Sequence, residues 1–68
     1  SAIENYLNLF ERLSFFILNK TFNEEHYRIQ YRSMLSNTIT SLSSHPAFSG
    51  SNPIYNKMVE LNTRWRNV

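Results

Sequence analysis

The chain contains no cysteine, so neither a disulfide framework nor a thiolate metal site can hold its fold together. It has 68 residues, and a domain of this length buries only about 60% of the surface that its unfolded chain exposes. Stability must therefore come from apolar side chains, which make up 41% of the residues and include five Phe, four Tyr and one Trp. One glycine and two prolines leave few turn formers, which favours helices.

The first predicted helix spans residues 2–19. Its apolar residues recur at spacings of three and four, which is the signature of an amphipathic helix: Ile3, Tyr6, Leu7, Phe10, Leu13 and Ile17. With their apolar neighbours they form an arc of roughly 200°, wide enough for contact with two other helices. We expect this helix to be the most enclosed of the fold, with Glu11 on its opposite, polar face.

The second predicted helix spans residues 23–43. Asn23 is a favourable N-cap, and Glu24 and Glu25 place negative charge in the first turn, where the helix dipole favours it. Phe22, just before the cap, is positioned to form a hydrophobic staple with Tyr27. The helix should end before Pro46, because the residue that precedes a proline avoids helical geometry.

The third predicted helix spans residues 53–66. Ser51 and Asn52 are capping residues, and Pro53 follows them at the position where a first helical residue is often proline. A narrow apolar stripe then continues along the helix through Ile54, Met58, Leu61 and Trp65.

Together these segments predict an all-α fold, an antiparallel three-helix bundle formed by residues 1–68 as a single domain. The expected core consists of Phe10, Leu13, Ile17, Tyr31, Met34, Leu42, Met58, Leu61 and Trp65. Because the first helix carries more apolar surface than two short neighbours cover, we expect the domain to be a fragment of a longer protein.

No residue pattern points to catalysis, a cofactor or a metal. Glu24, Glu25 and His26 are adjacent, so on a helix their side chains diverge by about 100° and do not converge on one ion. The chain has no aspartate, which excludes a Ser–His–Asp triad within it. We therefore expect a non-enzymatic protein without a small-molecule substrate.

Two apolar residues, Phe15 and Ile29, fall on helix faces that are otherwise polar, where a large apolar side chain often marks a contact. Arg28 and Arg32 share one face of the second helix, four positions apart, and can pair with acidic groups. These four residues are the candidate interaction site of a helical protein–protein interaction or oligomerisation module. Its expected partner is a second copy or another helix.

The alternative is a weak nucleic-acid-binding domain that uses Arg28, Arg32, Arg64 and Arg66. The net charge of +2 gives this alternative little support, because nucleic-acid binders usually carry clustered cations along one face. The acidic start of the second helix would also repel phosphate. We therefore expect nucleic-acid binding to be the less favoured of the two functions.

Three stretches resemble an uncharacterised bacterial family: Tyr6 to Leu13, the helix start from Phe22 to Glu25, and the closing segment from Leu61 to Trp65. In that family a small helical cytoplasmic domain follows one or two N-terminal transmembrane helices, and no activity is established. The resemblance implies a cytoplasmic module that is membrane-tethered in the full-length protein, with membrane contact only through parts of the parent chain outside these residues. It implies no catalytic residues.

Overall fold

A computed structural model describes residues 2–45 and 54–67, which form three helices: α1 (Ala2–Asn19), α2 (Glu24–Ser41) and α3 (Asn56–Arg66). No strand occurs within these two ranges. Each helix packs against the other two, which confirms the predicted all-α three-helix bundle.

The ends of the helices define their directions. The start of α1 and the end of α2 line one depression, to which Ile3 and Ser41 both contribute. The start of α2 meets the end of α3, where Glu24 binds Trp65. Sequential helices therefore run antiparallel. The expectation that α1 is the most enclosed helix is wrong, because α3 packs closely against both neighbours while α1 and α2 contact each other sparsely.

The boundaries of α2 differ slightly from the prediction. The helix begins at Glu24, with Asn23 in the N-cap position but without a side-chain capping hydrogen bond, and it ends at Ser41. The predicted staple is wrong, because Phe22 is fully exposed. Tyr27 instead contacts the ring of Phe16 on α1, edge to face, with 5.9 Å between the ring centroids. Tertiary ring packing thus replaces the local staple.

Helix α3 begins at Asn56, three residues later than predicted; the proposed cap at Ser51, Asn52 and Pro53 lies outside the described residues. Tyr55 takes the N-cap position, but its side chain is buried and makes no capping bond. The cap comes from α1. One oxygen of the Glu11 carboxylate accepts the amide N–H of Lys57 and the other that of Met58, both at 2.9 Å.

The sequence pattern placed Glu11 on the polar, solvent-facing side of α1. In the structure its carboxylate instead contacts the start of α3. Its carboxylate satisfies two of the four backbone donors that every helix start leaves without an intrahelical partner. The negative charge also lies at the positive end of the α3 dipole, where it is favoured. This long-range contact fixes the α3 start against the middle of α1.

The buried apolar core takes residues from all three helices and from the turn before α3: Leu7, Phe10, Ile17, Leu35, Tyr55, Met58, Leu61 and Trp65. The prediction was right for Phe10, Ile17, Met58, Leu61 and Trp65. Leu13, Tyr31 and Leu42 are partly buried against this cluster. Met34 was assigned wrongly: it is 46% exposed, and Leu35, one position further around α2, is fully buried.

Ser14 is a fully buried polar residue on the core face of α1. Its hydroxyl donates to the carbonyl oxygen of Phe10 one turn earlier, at 2.8 Å, so the side chain needs no partner from another helix. A residue this small at a core position leaves room for larger neighbours, and packed interiors do not easily accept added methylenes.

Replacing Glu11 should destabilise the fold through the start of α3. We expect Glu11→Ala to lower the free energy of unfolding by about 1.5–3 kcal/mol, because two hydrogen bonds to a charged acceptor are lost. Glu11→Gln keeps one acceptor oxygen and should lose less. Urea denaturation followed by circular dichroism measures both.

The control is Glu60→Gln on the exposed face of α3, where the pair with Lys57 at 3.5 Å should contribute under about 1 kcal/mol. Equal effects of Glu11→Ala and Glu60→Gln would contradict the capping role.

Ser14 should tolerate a smaller side chain and reject a larger one. Ser14→Ala removes only a bond to an already paired carbonyl and improves helix propensity, so we expect a change in unfolding free energy within about 0.5 kcal/mol. Ser14→Leu overpacks the core and should cost about 1–3 kcal/mol or more. The same substitution at exposed Ser33 on α2 is the control and should be near neutral. Stability retained in Ser14→Leu would show that this core position is not closely packed.

Candidate interaction surface

An apolar groove separates α1 from α2. We call it the α1–α2 groove; its central part has a volume of about 240 Å³ and is lined by Tyr6, Leu9, Phe10, Leu13, Tyr31 and Met34. Tyr6 also borders a wider depression of about 440 Å³ towards the start of α1, which is lined by Ala2, Ile3, Tyr6, Asn37, Thr38, Ser41 and Leu42. The two parts share Tyr6 and so form one continuous surface.

Aromatic rings form the contact between α1 and α2 and explain why a groove remains. Phe10 meets Tyr31 edge to face at 6.4 Å between centroids, and Tyr31 stacks on Tyr27 at the same separation. Tyr6 in turn meets Phe10 at 5.8 Å. Large side chains at a helix contact increase the distance between helix axes. The rings therefore connect the helices along one line and leave the surface beside that line open.

The floor and the edges of the groove differ in exposure. Phe10 is buried, and Leu13 and Tyr31 are half-buried. At the edges, Leu9 is 63% exposed and Met34 is 46% exposed. An apolar edge above an aromatic floor is a surface that gains from being covered, because apolar area removed from water contributes about 25 cal/mol per Å².

The border of the groove is almost uncharged. On the α2 side it consists of Asn37, Thr38 and Ser41. On the α1 side a shallow depression next to Leu9 is lined by Asn5, Asn8 and Arg12. Among these border residues Arg12 carries the single formal charge. Binding in the groove would therefore depend on shape and apolar area, and charge would contribute little to the choice of partner.

The predicted interaction residues Phe15 and Ile29 are exposed, at 46% and 76%, but neither borders the groove. Phe15 lies two positions after Leu13, which places it about 200° away around α1. Ile29 lies two positions from both Tyr27 and Tyr31 and so projects from the opposite side of α2. The structure therefore does not bring these two residues together with the groove.

Arg28 and Arg64, which belong to the nucleic-acid hypothesis, each pair with a glutamate. Arg28 pairs with Glu25 at 3.5 Å, and Arg64 binds Glu24 at 2.7 Å. The second oxygen of Glu24 accepts the indole N–H of Trp65 at 3.1 Å, so this carboxylate connects the start of α2 to the end of α3. Arg32 and Arg66 are exposed elsewhere on α2 and α3. These contacts give Arg28 and Arg64 a role in the structure.

Within residues 2–45 and 54–67, no group of three or more histidine, aspartate or glutamate side chains is close enough to hold a metal ion. In the same described ranges, none of the helices combines the length and the apolar character that crossing a bilayer requires.

No protein-family model matches the chain, and neither a curated protein nor a solved structure shows significant similarity to it. The resemblance to the bacterial family of membrane-proximal domains therefore stays a prediction.

Sequence reasoning missed the groove, although one signal pointed towards it. The apolar arc of α1 is wider than one core face requires, and the groove occupies the part of the arc that α3 does not cover. Leu9 and Tyr6 belong to this part. The pattern alone predicted that a second helix would cover them, whereas α2 meets α1 only along the line of aromatic rings.

Proposed function

We propose that this chain is a non-catalytic helical interaction module that binds a helix in the α1–α2 groove, either from another protein or from a second copy. The observation that carries the proposal is the exposed apolar edge formed by Ile3, Leu9 and Met34 beside a ring-lined floor. Binding of an amphipathic helix in an apolar groove is a recurrent mode of protein recognition.

The chemistry of the groove indicates what kind of helix it would accept. Tyr6 and Tyr31 present ring edges and faces, which favour aromatic and long aliphatic side chains of a partner. The border consists of asparagine, threonine and serine with Arg12 as its one charged residue, so it attracts or repels a charged partner only weakly. An uncharged apolar stripe flanked by polar residues is therefore the complementary ligand.

The family resemblance supports a further part of the proposal, which concerns location. A domain of that family lies on the cytoplasmic side and is held near the membrane by helices elsewhere in its parent chain. The α1–α2 groove of such a tethered module would meet its partners at high local concentration, which favours weak binding surfaces. This part rests on the resemblance alone, and an open reading frame without a hydrophobic span would contradict it.

A synthetic amphipathic helical peptide with leucines at positions three and four apart should bind the groove. In a titration followed by amide chemical shifts in NMR, we expect saturable changes along α1 and α2 beside Leu9 and Met34, and small changes at the far side of α2. Leu9→Glu should weaken the binding at least tenfold, because burial of one leucine contributes about 1.5–3 kcal/mol.

Two controls define the outcome of this titration. A peptide of the same composition in scrambled order, without an apolar stripe, should not produce saturable shifts. Ile29→Glu, which places the same charge on an exposed apolar residue away from the groove, should leave the affinity unchanged. Similar shifts with both peptides, or no shifts with either, would contradict the proposal.

A further inference from the structure

The exposed side of α1 contains a heptad pattern. Spacings of four, three, four and three separate the residues that we call the α1 seam: Ala2, Tyr6, Leu9, Leu13 and Phe16. All of them except half-buried Leu13 are exposed. Such a spacing matches the a and d positions of a left-handed coiled coil, with Tyr6 and Leu13 at a and the other three at d.

The α1 seam adjoins the face of α1 that forms the core, since buried Ile17 lies only about 20° around the helix from Tyr6. Leu7 and Ser14 on the core face are buried, and Leu9 and Phe16 lie two positions after them, about 200° further around the helix. The apolar arc of α1 thus extends beyond the part that the core buries. Leu13 packs against the core cluster and Phe16 meets the ring of Tyr27 on α2, so α2 partly covers one end of the seam, while Ala2, Tyr6 and Leu9 at the other end are exposed.

We infer that the α1 seam is covered by α1 of a second copy, packed antiparallel about a two-fold axis; this inference rests on the proposed function. The flanking positions favour this orientation. On one side of the seam the g positions, Asn5 and Arg12, are polar and exposed. On the other side the e positions are apolar: Ile3 is exposed, whereas Phe10 and Ile17 are buried in the core of the domain. An antiparallel pair places g beside g and e beside e, so the polar g positions meet one another.

Charge is compatible with the pairing of identical surfaces. The seam itself is uncharged, and Arg12 is the one formal charge among the residues that flank Leu9 in the adjoining depression. In an antiparallel pair with its axis near the middle of α1, Arg12 comes beside the partner's Asn5, whose amide oxygen accepts hydrogen bonds from a guanidinium. Two copies therefore meet without like-charge repulsion, which is a requirement for a self-complementary interface.

The available area sets the strength of the contact. Tyr6, Leu9 and Phe16 of the seam and the adjoining Ile3 and Met34 are 40–63% exposed, so each offers on the order of 100 Å². Their sum, on the order of 500 Å² per partner, is well below the roughly 800 Å² per partner of a standard stable interface. The dimer is therefore a reversible one whose population depends on concentration.

Sedimentation equilibrium over a dilution series of the whole chain tests the inference. The weight-average mass should rise from one chain towards two with increasing concentration, and Leu9→Glu should raise the dimer dissociation constant at least tenfold. Ile29→Glu and Phe15→Glu are matched controls, because both place the same charge on exposed apolar residues off the seam. Both should leave the dissociation constant unchanged, and circular dichroism should show intact helices in all three variants.

The absence of cysteine allows a second test of the orientation. Under oxidation, Leu9→Cys near the axis should form a disulfide-linked dimer, whereas Phe16→Cys should not, because antiparallel packing separates its two copies along the helices. A cross-link through Phe16→Cys would show a parallel pair and overturn the orientation.

In the sedimentation experiment, a loss of dimer in Ile29→Glu or Phe15→Glu, with dimer retained in Leu9→Glu, would overturn the assignment of the seam as the interface. A monomer at every concentration that still binds the amphipathic peptide would overturn the second copy alone, whereas a monomer that does not bind it would overturn the proposed function as well.

Discussion

The carboxylate of Glu11 is the contact on which the architecture depends. Eleven residues are too few for a helix that is stable in isolation, since helices shorter than about 12–15 residues are marginal in water. Helix α3 has no side-chain cap of its own, and α1 supplies the acceptor for two of its first amides. At the opposite end, Glu24 from α2 binds the side chains of Arg64 and Trp65. A short helix is thereby held at both ends by its two neighbours.

The central position of α3 accounts for the open surface as well. Met58, Leu61 and Trp65 fill the space between α1 and α2 and account for much of the core. Because α1 and α2 each bury their main stripe against α3, they need little direct contact, and the aromatic rings along their shared edge are sufficient. This arrangement leaves apolar area exposed at the α1–α2 groove and along the α1 seam. The same packing that stabilises the domain therefore produces the surface proposed for binding.

Periodicity was sufficient for the fold class and for α1, whose predicted bounds and buried Phe10 and Ile17 are confirmed. Periodicity could not decide whether Met34 or Leu35 is buried. The two adjacent side chains point about 100° apart on α2, and the position of α3 determines which of them enters the core. Nor could periodicity find the role of Glu11, because a glutamate that caps a helix 46 positions away has no local signature. The groove exists because α1 and α2 are held apart by aromatic rings. Which rings meet, and so how far apart the helices lie, is known only from the folded structure.

The capping of α3 by Glu11 also has a consequence for the order in which the chain acquires structure. The anchors of the last helix, Glu11 and Glu24, are both synthesised before it, while the α1–α2 pair gains little from its own sparse contacts. Because Met58, Leu61 and Trp65 supply much of the core, a chain that ended before α3 would have few buried contacts. A nascent chain released before α3 is synthesised would therefore expose the apolar arc of α1, and exposed apolar surface of this kind promotes aggregation.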